Sequence, residues 1–205
     1  IVYLPQIIFI SPMFILIIVI FFPFFKIRVN KIIGHRIGHF AANTDIYFTK
    51  KNFNKNKDID INFLISKPCN KQLLKMWKKK FIIYPHFLIY PHYRVLKFLS
   101  KHVPLTKFFL ADNNNERDLD GFINISKPNL VFSDNEIKEG EIFLNSFNLT
   151  LKDKFVCLII RNENYLREKF PEKKWNYHSY RNMDFDNFIK TINYLNQKGI
   201  MVFNM

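Results

Sequence analysis

Phe155-Val156-Cys157-Leu158-Ile159-Ile160 is an unbroken apolar run set between Lys154 and Arg161. A run of that length without a polar interruption suits a strand covered on both faces, as the central strands of parallel sheets are. Downstream, Asp184 or Asp186 is placed to cap a helix reaching about Gln197, and Gly199 to end it. Residues 200–203 then return as a strand, and 161–177 read as a long polar and aromatic loop. Strand, helix and strand at this spacing predict an α/β fold with parallel pairing.

The same alternation precedes this run. Residues 27–33 read as a strand entering the turn Gly34-His35-Arg36-Ile37-Gly38-His39, followed by a helix over 40–48 and a polar turn over 50–58. Residues 59–65 alternate and are β-branched, as a strand requires. Asn70 is placed to cap a helix over 71–79, and 81–84 form a third strand. A helix over 90–99 starts at Pro91, a favoured first-turn residue. The near-repeat Tyr84-Pro85-His86-Phe87 and Tyr90-Pro91-His92-Tyr93 reads as two turns. Residues 111–126 read as a loop and 137–147 as a helix, with the seam between halves in 149–153. The expected division is a membrane-associated segment over 1–25, an amino-terminal α/β domain over 26–150, and the start of a second over 151–205. One strand–helix–strand unit does not close a core by itself, so the chain reads as part of a longer protein.

Composition narrows the class. The chain has 205 residues, 48% of them hydrophobic, which excludes a disordered polymer. Five glycines exclude collagen-like material, and two cysteines, Cys69 and Cys157, exclude a disulfide scaffold or a Cys-rich zinc module. There are 31 Lys and Arg against 17 Asp and Glu, a net charge of +14. Lysine dominates that excess, and Asn, Ile and Phe are abundant, a pattern that coding bias toward A and T produces without selection for a polyanion. A nucleic-acid partner is therefore not expected.

All the formal charges lie after Phe25. Ile1-Val2-Tyr3-Leu4-Pro5 through Phe24-Phe25 is long enough to span a bilayer, which needs about 20 apolar residues, although Pro12 would kink a continuous helix. A spanning anchor, a helix lying on the membrane and a secretory signal all remain open. The signal lacks a basic leader and a small-residue cleavage site. Lys26, Arg28, Lys31 and Arg36 follow the segment, so the positive-inside rule places the bulk of the chain on the cytoplasmic side of the inner membrane.

Three constellations could carry chemistry. The turn with Gly34, Arg36, Gly38 and His39 stands at the carboxyl end of a predicted strand, where open α/β sheets bind ligands. Arg36 suits a phosphate or carboxylate, and His39 suits a general base. Arg161 follows the strand 155–160 in the same way; pairing with Glu163 is the alternative. His178-Ser179-Tyr180-Arg181-Asn182 precedes the last helix, where it either lines the same cleft or caps the helix. His35 and His39 lack a third ligand for zinc.

Taken together, these stretches resemble a family. Arg36-Ile37-Gly38-His39-Phe40, continuing to Asn43-Thr44-Asp45-Ile46-Tyr47-Phe48, resembles the opening of a bacterial glycosyltransferase family found with surface-polysaccharide genes. Phe155 to Arg161, then His178-Ser179-Tyr180-Arg181-Asn182, resembles its later part. The match spans about Arg28 to Met205. The chain departs from that pattern at Ile159, where a His is expected, at Asn162, where an Asp is expected, and at Phe203-Asn204-Met205. The resemblance implies two Rossmann-like domains in the GT-B arrangement, distantly similar to fucosyltransferases. It implies a nucleotide-sugar donor, a polysaccharide or lipid-linked acceptor, and no metal or other cofactor. Arg161 would bind the donor diphosphate, with Arg181, His178, Tyr180 and Asn182 beside it. His39, Gly34, Arg36, Gly38 and Asn43 would line the acceptor side. A non-catalytic scaffold at a membrane surface is the alternative expectation.

Overall fold

A computed structural model describes residues 3–55, 57–111, 118–119, 121–161, 164–169, 171–172, 174 and 176–205, without the side chains of 165, 166, 169, 177 and 178. It is a mixed α/β structure with parallel sheets, dividing into two units, Ile1–Phe132 and Ser133–Met205.

In the first unit β1 (Ile27–Ile32), β2 (Ile59–Leu64) and β3 (Ile83–Tyr84) pair in parallel in that order. Ile27 stands beside Ile59 and Ile32 beside Leu64, while Phe63 stands beside Tyr84. Leu110 extends the other edge through a bridge to Val29. Side chains alternate across the pleat, so one sequence feeds two cores. Val29 and Phe63 face a cluster with Ile18, Ile89, Tyr93, Leu96 and Phe109, supplied by α1 (Ser11–Phe21), α4 (His86–Leu99) and the 3₁₀ turn Pro104–Phe109. Ile32 and Leu64 face Phe40, Trp77, Leu73 and Phe81, around α3 (Lys71–Lys78) and the π-helical turn His39–Asn43 that leads into α2 (Thr44–Phe53). Helices thus cover both faces of the sheet. Asn30 and Asn62, adjacent across the two strands, are both buried, and the Asn30 amide donates to Asn62 Oδ1 at 2.9 Å.

Several expected boundaries move. Asn70 caps α3 as read, its side chain accepting from the Leu73 N–H at 2.8 Å. The helix over 40–48 instead continues to Phe53 and takes up the start of the polar turn. α4 begins at His86, not Pro91, so the second Tyr-Pro-His repeat is a helix interior and not a turn. Pro91 is tolerated there among buried Ile89, His92 and Tyr93, where packing outweighs one missing helix bond.

Part of the apolar head packs into this unit. Ser11 Oγ lies 2.7 Å from His92 Nδ1, Phe14 stacks on His92 at 4.5 Å between ring centres, and Ile18 is buried. Before α1 runs the π-helical turn Gln6–Ile10. Among the described residues no helix is long and apolar enough to cross a membrane.

In the second unit β4 (Phe155–Leu158) pairs in parallel with β5 (Met201–Asn204), joined through α7 (Asn164–Lys169), a 3₁₀ turn over Phe185–Phe188 and α8 (Ile189–Gln197). Asp184 caps the turn by accepting from the Asp186 N–H, and Gly199 ends α8 with φ +71°. α7 falls where a loop was expected. The helix expected over 137–147 is α6 (Asp134–Asn145), entered through a capping box in which Glu136 accepts from the Ser133 N–H at 2.8 Å. The last helix of the first unit is a short α5 (Phe122–Ile125). The division at Phe132 and Ser133 precedes the expected seam, because α6 packs Phe143 and Phe147 on Phe203 of β5, at 5.7 and 5.2 Å.

Candidate functional site

Parallel sheets bind ligands where their strands end, because loops and helix starts gather there. Each unit has a hollow at that edge. In the first, about 540 Å³ is lined by residues following β2 and around β3, including Ser66, Lys67, Lys78, Tyr84 and His86. The turn after β1 stands at the same edge. His35 Nδ1 lies 2.8 Å from Ser66 Oγ, and the Cys69 N–H donates to the Gly34 carbonyl at 2.8 Å. Gly34 is required by packing: a Cβ there would stand 3.0 Å from both Leu64 Cδ2 and the Ser66 carbonyl oxygen. Gly38 differs, being exposed helical backbone with open space around a notional Cβ.

Arg36 is half-buried and its carbonyl accepts from the Phe40 N–H. His39 is half-buried at the start of the π turn. Asn43 ends that turn, 8% exposed, with its Nδ2 buried and unpartnered among the described residues; the neighbouring Thr44 Oγ1 is in the same state. The turn is pinned from below by Trp77, whose indole N–H donates to the Phe40 carbonyl at 3.0 Å.

In the second unit a hollow of about 630 Å³ is lined by Ile160, Asn182, Met183, Asp184, Phe185, Asn204 and Met205. Arg161 follows Ile160, and its carbonyl accepts from the Met183 N–H at 3.0 Å, tying it to this rim. Its Nη1 is buried and has no hydrogen-bond partner among the described residues, and neither has Asn182 Oδ1. A buried guanidinium nitrogen without an acceptor is costly to keep, more so than a neutral donor. Arg181 goes elsewhere: it is exposed, its Nε donates to Tyr180 Oη at 2.9 Å, and its guanidinium lies 5.2 Å from the centre of that exposed ring. The convergence of Arg181 with Arg161 is therefore not seen within this unit. Asn162 and Glu163 lie outside the described residues, as does the His178 side chain.

Sequence reasoning missed the opposite, amino-terminal edge of the first sheet. There Arg28 Nη1 pairs with Asp58 at 2.9 Å, its Nη2 with Asp60 at 2.9 Å and with the Tyr47 hydroxyl at 2.8 Å, and Lys51 also reaches Asp60. Tyr47 donates to Asp60 Oδ2 at 2.8 Å. Burial first, and the Asp60 carboxylate second, push its phenol well above the usual range, so it stays a neutral donor. Lys26 lies 3.9 Å from Asp58. Lys26 and Arg28, which follow the apolar head, are thus engaged inside the fold, and Lys31 lies 5.9 Å from the centre of the Tyr93 ring. The alternation Asp58-Ile59-Asp60, set against Arg28 on a neighbouring strand, was the available signal.

No group of three or more metal-ligating side chains converges among the described residues. No family model, no curated protein and no solved structure matches the chain.

Proposed function

We propose that the chain is part of a glycosyltransferase that moves a sugar from a nucleotide-sugar donor to a surface-polysaccharide or lipid-linked acceptor, with two Rossmann-like units in the GT-B manner. The observation that carries this is Arg161: past the carboxyl end of a parallel strand, on the rim of a hollow, with a buried nitrogen that lacks an acceptor among the described residues. A diphosphate supplies that acceptor. A guanidinium offers paired N–H donors to two phosphate oxygens and holds its charge at any working pH. As the glycosidic bond to the donor breaks, negative charge grows on the leaving diphosphate, and a fixed cation there stabilises the transition state more than the ground state. Asn182 Oδ1 is placed to accept from a donor hydroxyl. On the acceptor side, Lys67, Lys78 and His86 line a hollow suited to an acceptor bearing phosphate, and His39 is the candidate base for the attacking hydroxyl. Arg181 joins the donor site only by leaving Tyr180.

The test is calorimetric binding of a nucleotide diphosphate and a nucleotide sugar to the chain, wild type against Arg161→Ala and Arg161→Lys. The loss of a charged hydrogen bond predicts a weakening of roughly tenfold or more for Arg161→Ala. Equal affinity in all three removes Arg161 from the donor site. Binding that tracks ionic strength and does not distinguish nucleotide sugar from pyrophosphate favours the scaffold.

A further inference from the structure

The positive charge of this protein is carried by one part of it. Residues 1–111 contain 18 Lys and Arg and three acidic residues, Asp45, Asp58 and Asp60, whereas residues 112–205 contain 13 Lys and Arg and 14 acidic residues. Asp58 and Asp60 are engaged by Lys26, Arg28 and Lys51, and Asp45 accepts from Asn129. From Ile61 to Ala111 there is no carboxylate side chain at all.

The same unit exposes many large apolar side chains. α1 has two stripes at helical spacing. Ser11, Phe14, Ile15, Ile18 and Phe22 turn toward the protein. Ile10, Met13, Ile17, Ile20 and Phe24 are exposed, from 49% to 80%. This second stripe is as apolar as the first and no described residue of the unit covers it. Past the end of α1 the exposed Phe25 is followed by Lys26, which reaches the Phe108 ring, and Phe98, Leu105 and Phe108 are all about half exposed or more. Among them stand Lys97, Lys101 and Lys107, also exposed, and the Lys26 ammonium lies 5.0 Å from the centre of the Phe108 ring.

We propose that this face docks in the plane of an anionic lipid bilayer, with the outer stripe of α1 and Phe98, Leu105 and Phe108 at the acyl boundary and Lys97, Lys101 and Lys107 on headgroup phosphates. A large apolar patch edged by long cationic side chains is what the lipid interface selects: the rings and aliphatic chains leave water, and the lysine stems bury while their ammonium groups stay with phosphate. The charge pattern selects lipid over a second copy of the chain. A two-fold dimer on this face would bring lysines against lysines with no carboxylate to separate them. The attachment is in-plane because the inner stripe of α1 is already engaged by His92 and the sheet. It does not depend on sugar transfer.

Flotation of the whole chain with vesicles decides it. Vesicles of equimolar phosphatidylcholine and phosphatidylglycerol carry the protein up, pure phosphatidylcholine carries far less, and the difference shrinks as salt is raised. Alkaline carbonate releases the bound protein. Neutralising Lys97, Lys101 and Lys107 to Gln weakens partitioning by roughly fivefold per residue. Met13→Ser with Ile17→Ser, both at exposed positions that spare the core, weakens it by roughly tenfold or more with an unchanged circular dichroism spectrum. Four results overturn the proposal: no flotation with the anionic vesicles; variants that float as the wild type does; retention after carbonate, which means a spanning segment; or lipid-free self-association abolished by Met13→Ser with Ile17→Ser, which gives the face to a second copy.

Discussion

Arg28 and Arg161 occupy opposite ends of equivalent strands. Arg28 opens β1, and its guanidinium is closed by Asp58, Asp60 and Tyr47. Arg161 follows β4, and its Nη1 is buried without an acceptor among the described residues. The first is a finished structural device at the edge of a sheet where ligands seldom bind; the second is an unfinished one at the edge where they do. The units around them differ likewise. Val29, Phe63 and Leu96 are fully buried between helices on both faces of the first sheet, whereas Leu144 is the single buried apolar side chain among the described residues of the second. A continuous apolar run such as β4 records what a strand is suited to, and Phe155 at 37% and Ile159 at 74% exposure show how little of that cover Ser133–Met205 provides.

The largest expected effect tests that contrast directly. Asp60→Ala leaves Arg28 and Lys51 without their shared carboxylate in a site where the Asp60 side chain is 2% exposed. Breaking a buried ion pair from one side costs about 3–5 kcal/mol. Arg161→Ala removes a buried charge that no described group compensates, so stability is unchanged or raised. Urea unfolding measures both, Asp60→Ala by emission from buried Trp77 in a Trp175→Phe background and Arg161→Ala by circular dichroism of the whole chain. A comparable loss in both variants would make Arg161 a structural residue and erase the distinction.

A smaller effect follows from the contact that holds α1. His92 is 4% exposed, and burial lowers its pKa below the ordinary 6.5. Ser11 Oγ donates to the Gln6 carbonyl at 3.2 Å, so Nδ1–H of a neutral His92 donates to Oγ. The folded state binds the proton less readily than the unfolded chain. Stability is therefore complete above about pH 6.5 and declines as pH falls through that value toward the lower folded pKa. Unfolding midpoints from pH 7 downward should fall, and His92→Leu should flatten that slope even where it lowers stability throughout. A slope unchanged by His92→Leu would show that His92 does not set the acid sensitivity.

The alternation of strands and helices was legible because strands draw apolar and β-branched runs, as in 59–65 and 155–160. Single caps were legible where the cap is local: Asn70, Asp184 and Gly199 act on neighbours within a few residues. The Ser133–Glu136 box is equally local and was passed over. What was not legible is non-local. Pro91 reads as a helix start until His92 is seen against Ser11, 81 residues away. The apolar head has no polar face in its sequence, and which of its side chains meet the protein appears only when Ile18 is seen in the same cluster as Val29 and Leu96. Of the candidate site, the position of Arg161 was readable from its strand; the turning of Arg181 onto Tyr180 was not, since nothing in Tyr180-Arg181 distinguishes a stacked pair from a cleft contact.

The two glycines of the first turn give the smallest effect and sharpen the comparison within one loop. Gly34→Ala drives a methyl to 3.0 Å from the Ser66 carbonyl oxygen and 3.4 Å from Pro68 Cα, backbone atoms that cannot move without shifting the segment after β2. Overpacking of this kind costs about 1–3 kcal/mol. Gly38→Ala places its methyl in open space on helical backbone, φ −60° and ψ −44°. It should be neutral or stabilising by up to about 1 kcal/mol, the helix preference of Ala over Gly. If Gly38→Ala also lowers binding of an acceptor while the protein grows more stable, the open space beside it is room that a ligand uses. If stability rises and binding is unchanged, the turn serves the fold through Gly34 alone, and the acceptor side must be sought around Lys67, Lys78 and His86.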